Sequence, residues 1–387
     1  MNIILFDGKE RSNLLPLTFT RPVAELRMGI LTFTERWGKI LETKKVSFLT
    51  QEYLSEKYPV QSEPENLFIN PAFFPDQDLI LTLKNLKQGE ALYFNEELVA
   101  ANSSLENFRE SRFDQKKEFE FKGFHIQYPW DLFSNNPKAI SYDFSLLTQG
   151  RKLQPLPESV KVIGDRSKIF IEEGAVIECA ILNTKEGEIY LAKNSEVMEG
   201  SMIRGSFALC EGSKINMGSK VYGGTTIGPY SKIGGEVNNI VVTGYSNKGH
   251  EGFLGNSVIG EWCNLGADTN SSNMKNNYAE VKCWNYPKKS FIKTGLQFAG
   301  LIMGDHSKSA INTQFNTGTV VGVFANIFHS GFPPHIIKSF SWGGKSEDSI
   351  FKIDKAFEVA DRVMKRRNME LNEVDKRILD YIYKNPY

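Results

Sequence analysis

The sequence predicts three regions of different architecture: an α/β domain, a parallel β-helix and C-terminal α-helices. Strand-like runs alternate with a helical stretch up to about residue 155, which is typical of an α/β domain. Beyond that point large aliphatic side chains return at every sixth position, a spacing that neither a helix nor one long strand produces. The C-terminal segment is charged and has helical spacing.

Length and charge limit the classes of partner. The chain has 387 residues, which allows two or three domains, and 46 Lys and Arg residues balance 46 Asp and Glu residues. A formal net charge of zero gives no overall field toward nucleic acid or an anionic membrane, so we expect neither as a partner. Any anionic ligand must be bound by local groups.

Targeting signals and cysteine spacing point to a cytoplasmic protein. The first apolar run contains Asp7 and has no basic residue before it, unlike a secretory signal, and no run of about 18 apolar residues exists to span a bilayer. The four cysteines are scattered without CxxC pairing, so we expect reduced thiols and neither a zinc site nor a redox dithiol. They are Cys179, Cys210, Cys263 and Cys283.

The α/β domain begins with the strand-like run "NIILF". A helical stretch near Ala24 to Lys44 follows, and then a second strand in "KVSFLT". At "LQPLPESVKVIGDRSKIFIEEGAVIE" the pattern changes to short strands separated by glycine. We therefore predict a first domain over residues 1–155 and a second over residues 156–342.

Six consecutive hexads predict the β-helix. If three short strands make one coil, residues eighteen apart stack, and one aliphatic side chain points to the axis from every face. The aliphatic positions are Ile203, Leu209, Ile215, Val221, Ile227 and Ile233. The residues four positions later are mostly small, as expected near tight inward corners. These are Ser213, Ser219, Thr225 and Ser231.

Two interruptions break the hexads, and insertions in a solenoid often build the functional site. One is "VNNIVVTGYSNKGHEG" and the other is "NSSNMKNNYAEVKCWNYPKKSFIKTGLQFAG". The spacing resumes between and after them, at Phe253, Ile259, Leu265, Phe315, Val321 and Ile327. Residues 343–387 form the third region, where apolar positions from Ser346 onward predict two amphipathic helices.

Three stretches, together with the hexads, carry a family resemblance. They are "LPLTFTRPVAELRMGI", "GHEGFLGNSVIGEWCNLGADTNSSN" and "MGDHSKSAINTQFNTGTVVGVFANI". The chain resembles the bifunctional bacterial family that acetylates glucosamine-1-phosphate and then uridylates the product. The resemblance implies a nucleotidyltransferase-like α/β domain, here short, followed by a left-handed β-helix of the acyltransferase type.

The resemblance implies a catalytic site in the coils. The family histidine that takes a proton from the sugar amine falls on His250, and the family asparagines fall on Asn264 and Asn273. An imidazole accepts a proton near neutral pH, and side-chain amides can stabilise a tetrahedral oxyanion. Lys248 is the nearest candidate for the family's basic segment, and Phe253 replaces a tyrosine whose hydroxyl would help to hold a sugar phosphate.

The resemblance also implies a cofactor and an assembly. Acetyl-CoA, or another acyl-CoA, is expected along the outside of the coils between two subunits of a homotrimer, against the small residues Ala267, Ala310 and Ala325. Lys275, in the second interruption, is a candidate counter-charge for phosphate groups. A solvated basic loop accounts for that lysine equally well.

The amino-terminal domain departs from the family pattern. Family nucleotidyltransferases bind UTP and Mg²⁺ with a glycine-rich loop, of which Gly8 remains, and Arg11, Arg21 and Arg27 are candidate nucleotide-binding residues. Asn70 stands where a metal-binding aspartate is expected, so we predict no metal ligand.

Three functions remain open at this point. The first is an acyl-CoA-dependent transferase acting on an amino sugar phosphate. The second is a sugar-1-phosphate nucleotidyltransferase whose β-helix only forms a trimer. The third is a non-catalytic sugar-nucleotide-binding protein in which both sites have degenerated.

Overall fold

The computed structural model describes residues 2–152, 154–344 and 349–386. The chain folds into two compact units. The first takes most of the chain up to Tyr128, and the second takes the chain from Pro129 onward together with Leu15–Phe19 and Arg27–Ile30. The limits predicted at residues 155 and 342 rest on a change of sequence pattern, and they stay predictions.

The first unit contains one mixed six-stranded sheet in the order β2-β1-β3-β5-β4-β6. Its strands are β1 (Asn2–Phe6), β2 (Val46–Leu49), β3 (Asn66–Ile69), β4 (Glu90–Phe94), β5 (Glu97–Ser103) and β6 (Gln115–Glu118). Its helices are α1 (Glu10–Asn13), α2 (Phe33–Ile40), α3 (Gln77–Lys84) and α4 (Leu105–Arg109), with 3₁₀ turns at Val23–Glu25 and Glu52–Leu54.

Local sequence explains the first two predicted elements of this unit. The apolar run of β1 is buried because parallel strands β2 and β3 flank it on both sides, which confirms the predicted strand. The predicted helix near Ala24 to Lys44 is shorter than expected, because α2 begins only after Thr32. The Thr32 hydroxyl and the Glu35 carboxylate form a capping box at that point.

The second unit opens with the long helix α5 (Pro129–Thr148) and continues as a β-helix. The strands that precede the second interruption are β7 (Lys161–Ile163), β8 (Ile169–Ile171), β9 (Val176–Ile177), β10 (Ile181–Asn183), β11 (Ile189–Leu191), β12 (Glu196–Val197), β13 (Met202–Arg204), β14 (Phe207–Leu209), β15 (Lys214–Ile215), β16 (Lys220–Val221), β17 (Thr225–Ile227), β18 (Lys232–Ile233), β19 (Glu236–Gly244), β20 (Asn247–Lys248), β21 (Phe253–Glu261), β22 (Asn264–Leu265) and β23 (Asn270–Ser271). A 3₁₀ turn covers Arg166–Lys168.

The remaining elements complete the coils and the C-terminus. The strands are β24 (Lys282–Asn285), β25 (Ser290–Lys293), β26 (Ile302–Met303), β27 (Lys308–Ser309), β28 (Gln314–Phe315), β29 (Val320–Val321), β30 (Asn326–Ile327), β31 (Ile336–Ile337), β32 (Ser341–Gly343) and β33 (Ser349–Ile350). The helices are α6 (Ile353–Lys365) and α7 (Glu373–Lys384), which confirms the two predicted helices; the predicted start at Ser346 lies outside the described residues.

Strand register confirms the parallel β-helix. Ile203 pairs with Val221 in parallel strands, and the other hexad positions pair in the same way, Leu209 with Ile227 and Ile215 with Ile233. All these side chains are buried in one continuous core, so the six-residue spacing produces three stacked inward columns. The handedness of the coil stays a prediction from the family resemblance.

The two interruptions have different structures. The first is not an inserted loop, because β19 and β20 complete a coil whose residues stack at shorter spacings: Val221 on Val237, Ile227 on Val242 and Ile233 on Lys248. The second does leave the coil, and its strands β24 and β25 form an antiparallel hairpin. Thus only the second interruption behaves as the predicted insertion.

Helix length bears on membrane insertion. Among the described residues, none of the helices combines the length and the apolar character that crossing a membrane requires.

Candidate functional site

His250 lies at an exposed corner of the coil, between β20 and β21. Within the described part of the chain, its imidazole makes no hydrogen bond or ion pair. Its backbone is held by two side chains from the coil: Lys248 Nζ donates to the His250 carbonyl at 3.0 Å, and Asn216 Nδ2 donates to the Gly249 carbonyl at 2.8 Å. A fixed corner therefore presents the imidazole to solvent.

Lys248 occupies an inward position that an aliphatic side chain fills in the coil below. It pairs with Ile233, and only 2% of its surface is exposed. Its ammonium donates to the carbonyls of Gly234 at 2.8 Å and His250 at 3.0 Å. Burial lowers the pKa of Lys248 to about 8. This lysine positions the His250 corner, and its burial is a poor fit to the predicted contact with substrate.

Asn264 lies on an outer wall of the coil, where it lines a cavity of about 350 Å³ that we call the basic pocket. Four cationic side chains line this pocket, and the described residues around it include no carboxylate. The cations are Lys232, Lys308, Arg366 and Arg367, the last two just after the end of α6. Asn247 donates to Asn264 Oδ1 at 3.0 Å, which fixes one amide at the wall of the pocket.

The charges of the basic pocket are only partly compensated by local hydrogen bonds. Lys308 Nζ donates to the His306 carbonyl at 2.9 Å, and Arg367 donates to the Tyr230 carbonyl at 3.0 Å. Burial lowers the pKa of Lys308, since no carboxylate lines the described part of the pocket beside this ammonium. An anion in the pocket would offset that desolvation cost, so the pocket is suited to phosphate groups.

Aromatic rings form one side of the basic pocket. Tyr245 and Trp262 both line it, and their rings stack with centroids 4.3 Å apart. A flat apolar surface beside four cations can hold a ligand that has both an aromatic ring and phosphate groups.

Phe253 and Asn273 lie together on another part of the coil. Both approach Gly255, where an added Cβ would lie 2.6 Å from the Phe253 ring and 2.6 Å from Asn273 Nδ2. Asn273 Nδ2 also donates to Asn256 Oδ1 at 2.8 Å, so this amide is held in place by a neighbouring coil. These two residues are close to one another, whereas Asn264 faces the basic pocket.

The remaining predicted β-helix residues are dispersed. Lys275 lies in the second interruption, and its ammonium donates to the Glu280 carbonyl at 2.9 Å within the same loop. Ala325 is fully buried in the coil core, while Ala267 and Ala310 are half-buried near the coil surface. Of the three predicted cofactor contacts, Ala325 therefore offers no exposed side chain.

In the first unit, Gly8 and Arg11 lie beside a buried carboxylate. Arg11 Nε is 3.1 Å from Asp7 Oδ2, and its Nη2 donates to the Tyr53 hydroxyl at 2.8 Å. The Val23 amide donates to Asp7 Oδ1 at 2.8 Å, and burial raises the pKa of Asp7 to about 6. Arg11 is thus engaged in a buried network rather than free for a nucleotide phosphate.

Arg21 and Arg27 fall in different compact units. Arg21 is buried in the first unit. Arg27 belongs to the second unit, where its guanidinium donates to the carbonyls of Thr243 and Ile30 and contacts Cys210 Sγ. The four predicted nucleotide-binding residues are therefore divided between the two compact units.

The Mg²⁺ ligands expected in a nucleotidyltransferase do not fit the first unit. Strand β3 ends at Ile69 and is followed by Asn70, whose Oδ1 accepts from the Ala72 amide at 3.0 Å. Asp76 caps α3 by accepting from the Leu79 amide at 2.8 Å, and Asp78 is exposed on that helix. These carboxylates have helix-end roles, so we derive no step that involves UTP or Mg²⁺ at this position.

Sequence reasoning missed one cluster in the first unit. Glu10, Glu97 and His125 each offer one potential ligand atom, and these three atoms lie within 4.8 Å of one another. The three residues are far apart in the sequence and follow no ligand-spacing motif. Only the folded sheet brings them together.

Comparisons with known proteins support the resemblance seen in the motifs. A family model described as sugar nucleotidyl transferase matches residues 3–152. The bifunctional sugar-1-phosphate nucleotidylyltransferase/acetyltransferase of Sulfurisphaera tokodaii is 29% identical over 216 residues, which are 55% of this chain and 47% of that protein. The bifunctional protein GlmU of Methanocaldococcus jannaschii is 32% identical over 103 residues, which are 27% of this chain and 24% of that protein.

The predicted resemblance to bifunctional nucleotidyltransferase/acetyltransferase proteins is confirmed by these matches, although the matched residues span less than half the length of either curated relative. Among solved structures, the polySia-specific acetyltransferase NeuO aligns with a TM-score of 0.27 and 16% identity, covering 51% of this chain and 87% of that chain. A TM-score this low adds nothing to the sequence matches.

Proposed function

We propose that this protein is an acyl-CoA-dependent transferase that acylates the amine of a sugar phosphate at its β-helix, with acetyl-CoA as the donor. The observation that carries the proposal is the basic pocket, where four cations and a stacked aromatic pair surround a cavity with no carboxylate among its described lining residues. Coenzyme A carries a purine ring and phosphate groups, which match that combination. The name of the Sulfurisphaera tokodaii relative, which includes an acetyltransferase, supports the reaction class.

His250 is proposed as the general base. Its imidazole is exposed and makes no hydrogen bond among the described residues, while Lys248 and Asn216 hold its corner. The amine nitrogen forms a bond to the thioester carbonyl carbon, and the carbon–sulfur bond breaks. His250 takes the amine proton and passes it to the leaving thiolate, so the products are an amide and the free CoA thiol.

Asn264 is proposed to contact the cofactor, since its amide lies in the wall of the basic pocket. Asn273 and Phe253 are proposed to contact the acceptor sugar. Phe253 has no hydroxyl to hold a sugar phosphate, so the acceptor's phosphate needs other donors or the acceptor differs from glucosamine-1-phosphate. Lys275 stays a candidate for that role only if its bond to the Glu280 carbonyl is exchanged for the phosphate.

A homotrimer is proposed as the active assembly, because the resemblance implies a cofactor cleft between subunits. Supporting this, Ile181 and Met202 are paired neighbours on one coil wall and expose 38% and 45% of their surfaces. Exposed apolar neighbours on a coil wall are suited to contact with a second copy. A monomeric mass by light scattering would contradict the trimer.

The test of the acyltransferase proposal is release of free thiol from acetyl-CoA in the presence of amino sugar 1-phosphates. Wild type, His250→Ala and the control His329→Ala are compared, since His329 is a half-buried histidine of the same unit. We expect turnover in the wild type and the control and a loss of about a hundredfold or more in His250→Ala. Equal rates in all three proteins would exclude His250 as the base.

Sugar-1-phosphate nucleotidyl transfer is the second candidate, favoured by the match of residues 3–152 to the sugar nucleotidyl transferase model. Ligand-induced shifts of the melting temperature separate the two functions, because a ligand stabilises the state that binds it. Stabilisation by acetyl-CoA supports acyl transfer, and stabilisation by UTP with Mg²⁺ supports nucleotidyl transfer. A response to neither supports a non-catalytic protein.

A further inference from the structure

We propose that Glu10, Glu97 and His125 form a binding site for a divalent transition-metal ion, Zn²⁺ or Mn²⁺, in the first unit. The site differs in place and in donors from the Mg²⁺ position expected after β3. It consists of two carboxylates and one imidazole whose ligand atoms lie within 4.8 Å of one another.

Glu10 provides the first argument, because it is a buried carboxylate without a compensating partner at bonding distance. Only 3% of its surface is exposed, and neither carboxylate oxygen has a hydrogen-bond partner among the described residues. The adjacent Arg11 is directed to Asp7 and Tyr53 instead. A buried, unpaired carboxylate is costly, so this position calls for a cation or a proton.

His125 provides the second argument, because its ring is fixed with one nitrogen directed at the carboxylates. The ring stacks on Phe73 with centroids 3.9 Å apart, which fixes its plane. Nε2 is buried and has no hydrogen-bond partner among the described residues. An unprotonated ring nitrogen that makes no hydrogen bond can ligate a metal ion.

The distances fit ligands around a shared metal ion better than direct ion pairs. His125 Nε2 lies 3.6 Å from Glu97 Oε2 and 3.9 Å from Glu10 Oε2, both longer than a charge-assisted hydrogen bond. Tetrahedral ligands about 2.1 Å from Zn²⁺ are separated by about 3.4 Å, so His125 Nε2 needs to approach the two carboxylates by only about 0.2 and 0.5 Å. The two carboxylate oxygens need to approach one another by no more than about 1.4 Å.

Glu97 supplies the access that a metal site needs. Its side chain is 28% exposed, whereas those of Glu10 and His125 are 3% and 9% exposed. One partly exposed carboxylate therefore leads to two buried donors, and solvent or a substrate can complete the coordination from its side. The lack of a side chain at Gly8 leaves space for the Glu10 carboxylate, because a Cβ at position 8 would lie only 2.6 Å from both carboxylate oxygens.

Donor chemistry selects the class of ion. Imidazole favours Zn²⁺ and related transition metals, while Mg²⁺ prefers oxygen ligands and octahedral geometry. Two carboxylates neutralise one dication, which removes the uncompensated charge of Glu10. We therefore expect Zn²⁺ and Mn²⁺ to bind more tightly than Mg²⁺.

The test uses the full-length protein, stripped with EDTA, dialysed and titrated calorimetrically with ZnCl₂, MnCl₂ and MgCl₂. Glu97→Gln is the main variant, because this half-buried side chain is the most exposed of the three donors and contributes least to packing. Glu96→Gln is the matched control, since it removes an exposed carboxylate from the adjacent position. His125→Asn is the second variant, and circular dichroism checks that each protein is folded.

We expect one Zn²⁺ to bind per chain in wild type and Glu96→Gln, and affinity to fall by tenfold or more in Glu97→Gln and in folded His125→Asn. Failure of the wild type to bind any of the ions would overturn the proposal. So would equal Zn²⁺ affinity in wild type and Glu97→Gln, which would place the ion elsewhere. Neither result depends on acyl transfer, so the test is independent of the proposed function.

Discussion

Each compact unit contains a buried ionisable side chain that lacks an oppositely charged hydrogen-bond partner, and the two side chains have different surroundings. Lys248, in the β-helix, donates to the carbonyls of Gly234 and His250. Glu10, in the α/β unit, makes no hydrogen bond through either carboxylate oxygen among the described residues. The backbone bonds of Lys248 fit a structural role, whereas a buried carboxylate without a hydrogen-bond partner is consistent with the metal site proposed above.

The largest expected effect concerns Glu10. Without metal, Glu10→Gln should be at least as stable as the wild type, because it removes a buried uncompensated charge. With Zn²⁺ at about a thousand times the wild-type dissociation constant, wild type should gain about 4 kcal/mol of unfolding free energy, and a variant that binds tenfold or more weakly should gain at least about 1.4 kcal/mol less. Chemical denaturation with EDTA or with Zn²⁺ measures both. Equal Zn²⁺-induced gains in the two proteins would show that Glu10 does not bind the ion.

The second effect separates activity from stability at the His250 corner. His250→Ala should lower thiol release by about a hundredfold or more, yet change the unfolding free energy by less than about 0.5 kcal/mol, since the side chain is exposed. Paired kinetic and denaturation measurements test this. A large loss of stability would mean that the ring supports the coil rather than reacting with substrate.

The third effect tests the cost of burying Lys248. The pKa of Lys248 is about 8 in the folded protein and an ordinary 10.5 in the unfolded chain. Between pH 8 and pH 10.5 the unfolded chain therefore binds more protons than the folded protein. The free energy of unfolding should accordingly rise with pH over that range. Lys248→Met removes the cost of burying the charged ammonium, which is of order 3 kcal/mol. The variant also leaves the carbonyls of Gly234 and His250 without this hydrogen bond, at a cost of about 1 kcal/mol each. We expect a net gain of about 1 kcal/mol at pH 7.

The pH dependence of this gain is the sharper observation. Since the cost of Lys248 is fully present below pH 8 and lost by about pH 10.5, the advantage of Lys248→Met should shrink over that window. Chemical denaturation at pH 7, 9 and 10.5 measures the difference in unfolding free energy between Lys248→Met and wild type. Lys282→Met, at an exposed lysine, is the control. A constant difference at all three values would show that burial does not lower the pKa of Lys248 in the folded protein.

The smallest effect concerns the basic pocket. Arg366→Gln should raise the KM for acetyl-CoA by about three- to tenfold with little change in kcat, because an exposed cation contributes about 1 kcal/mol to phosphate binding. Arg362→Gln is the control, as this arginine is exposed on α6, shortly before Arg366, and pairs with Glu358 at 3.8 Å. Equal KM values for acetyl-CoA in Arg366→Gln and Arg362→Gln would show that the basic pocket does not bind the cofactor.

Much of the β-helix can be predicted from the sequence, because its repeating unit is local. Ile203 and Val221 are neighbours in adjacent coils at a fixed spacing, so the pattern alone predicts their contact. The coil through Lys248 is harder to predict, because its shorter spacing looks like an inserted loop. The C-terminal helices follow from their apolar spacing, which also depends only on nearby residues.

The candidate sites can be predicted only in part. His250 and Asn264 are candidates because a motif carries them, and their roles stay predictions. The motif gives no sign that Asn264 lines a pocket with four cations, two of them contributed by residues after position 365. The same motif treats Lys248 as a ligand contact, although the coil buries it. Residues that meet from distant parts of the chain leave no mark in local spacing.

Local sequence patterns are sufficient for the hexad columns, the β1 strand, the amphipathic helices and the resemblance to acetyltransferases, because each depends on residues a few positions apart. The packing of the folded chain was needed to show which side chains lose their water. It placed Lys248 in an aliphatic column and brought ligand atoms of Glu10, Glu97 and His125 within 4.8 Å of one another. The physical reason is that desolvation depends on every neighbouring atom, and those atoms come from residues far apart along the chain.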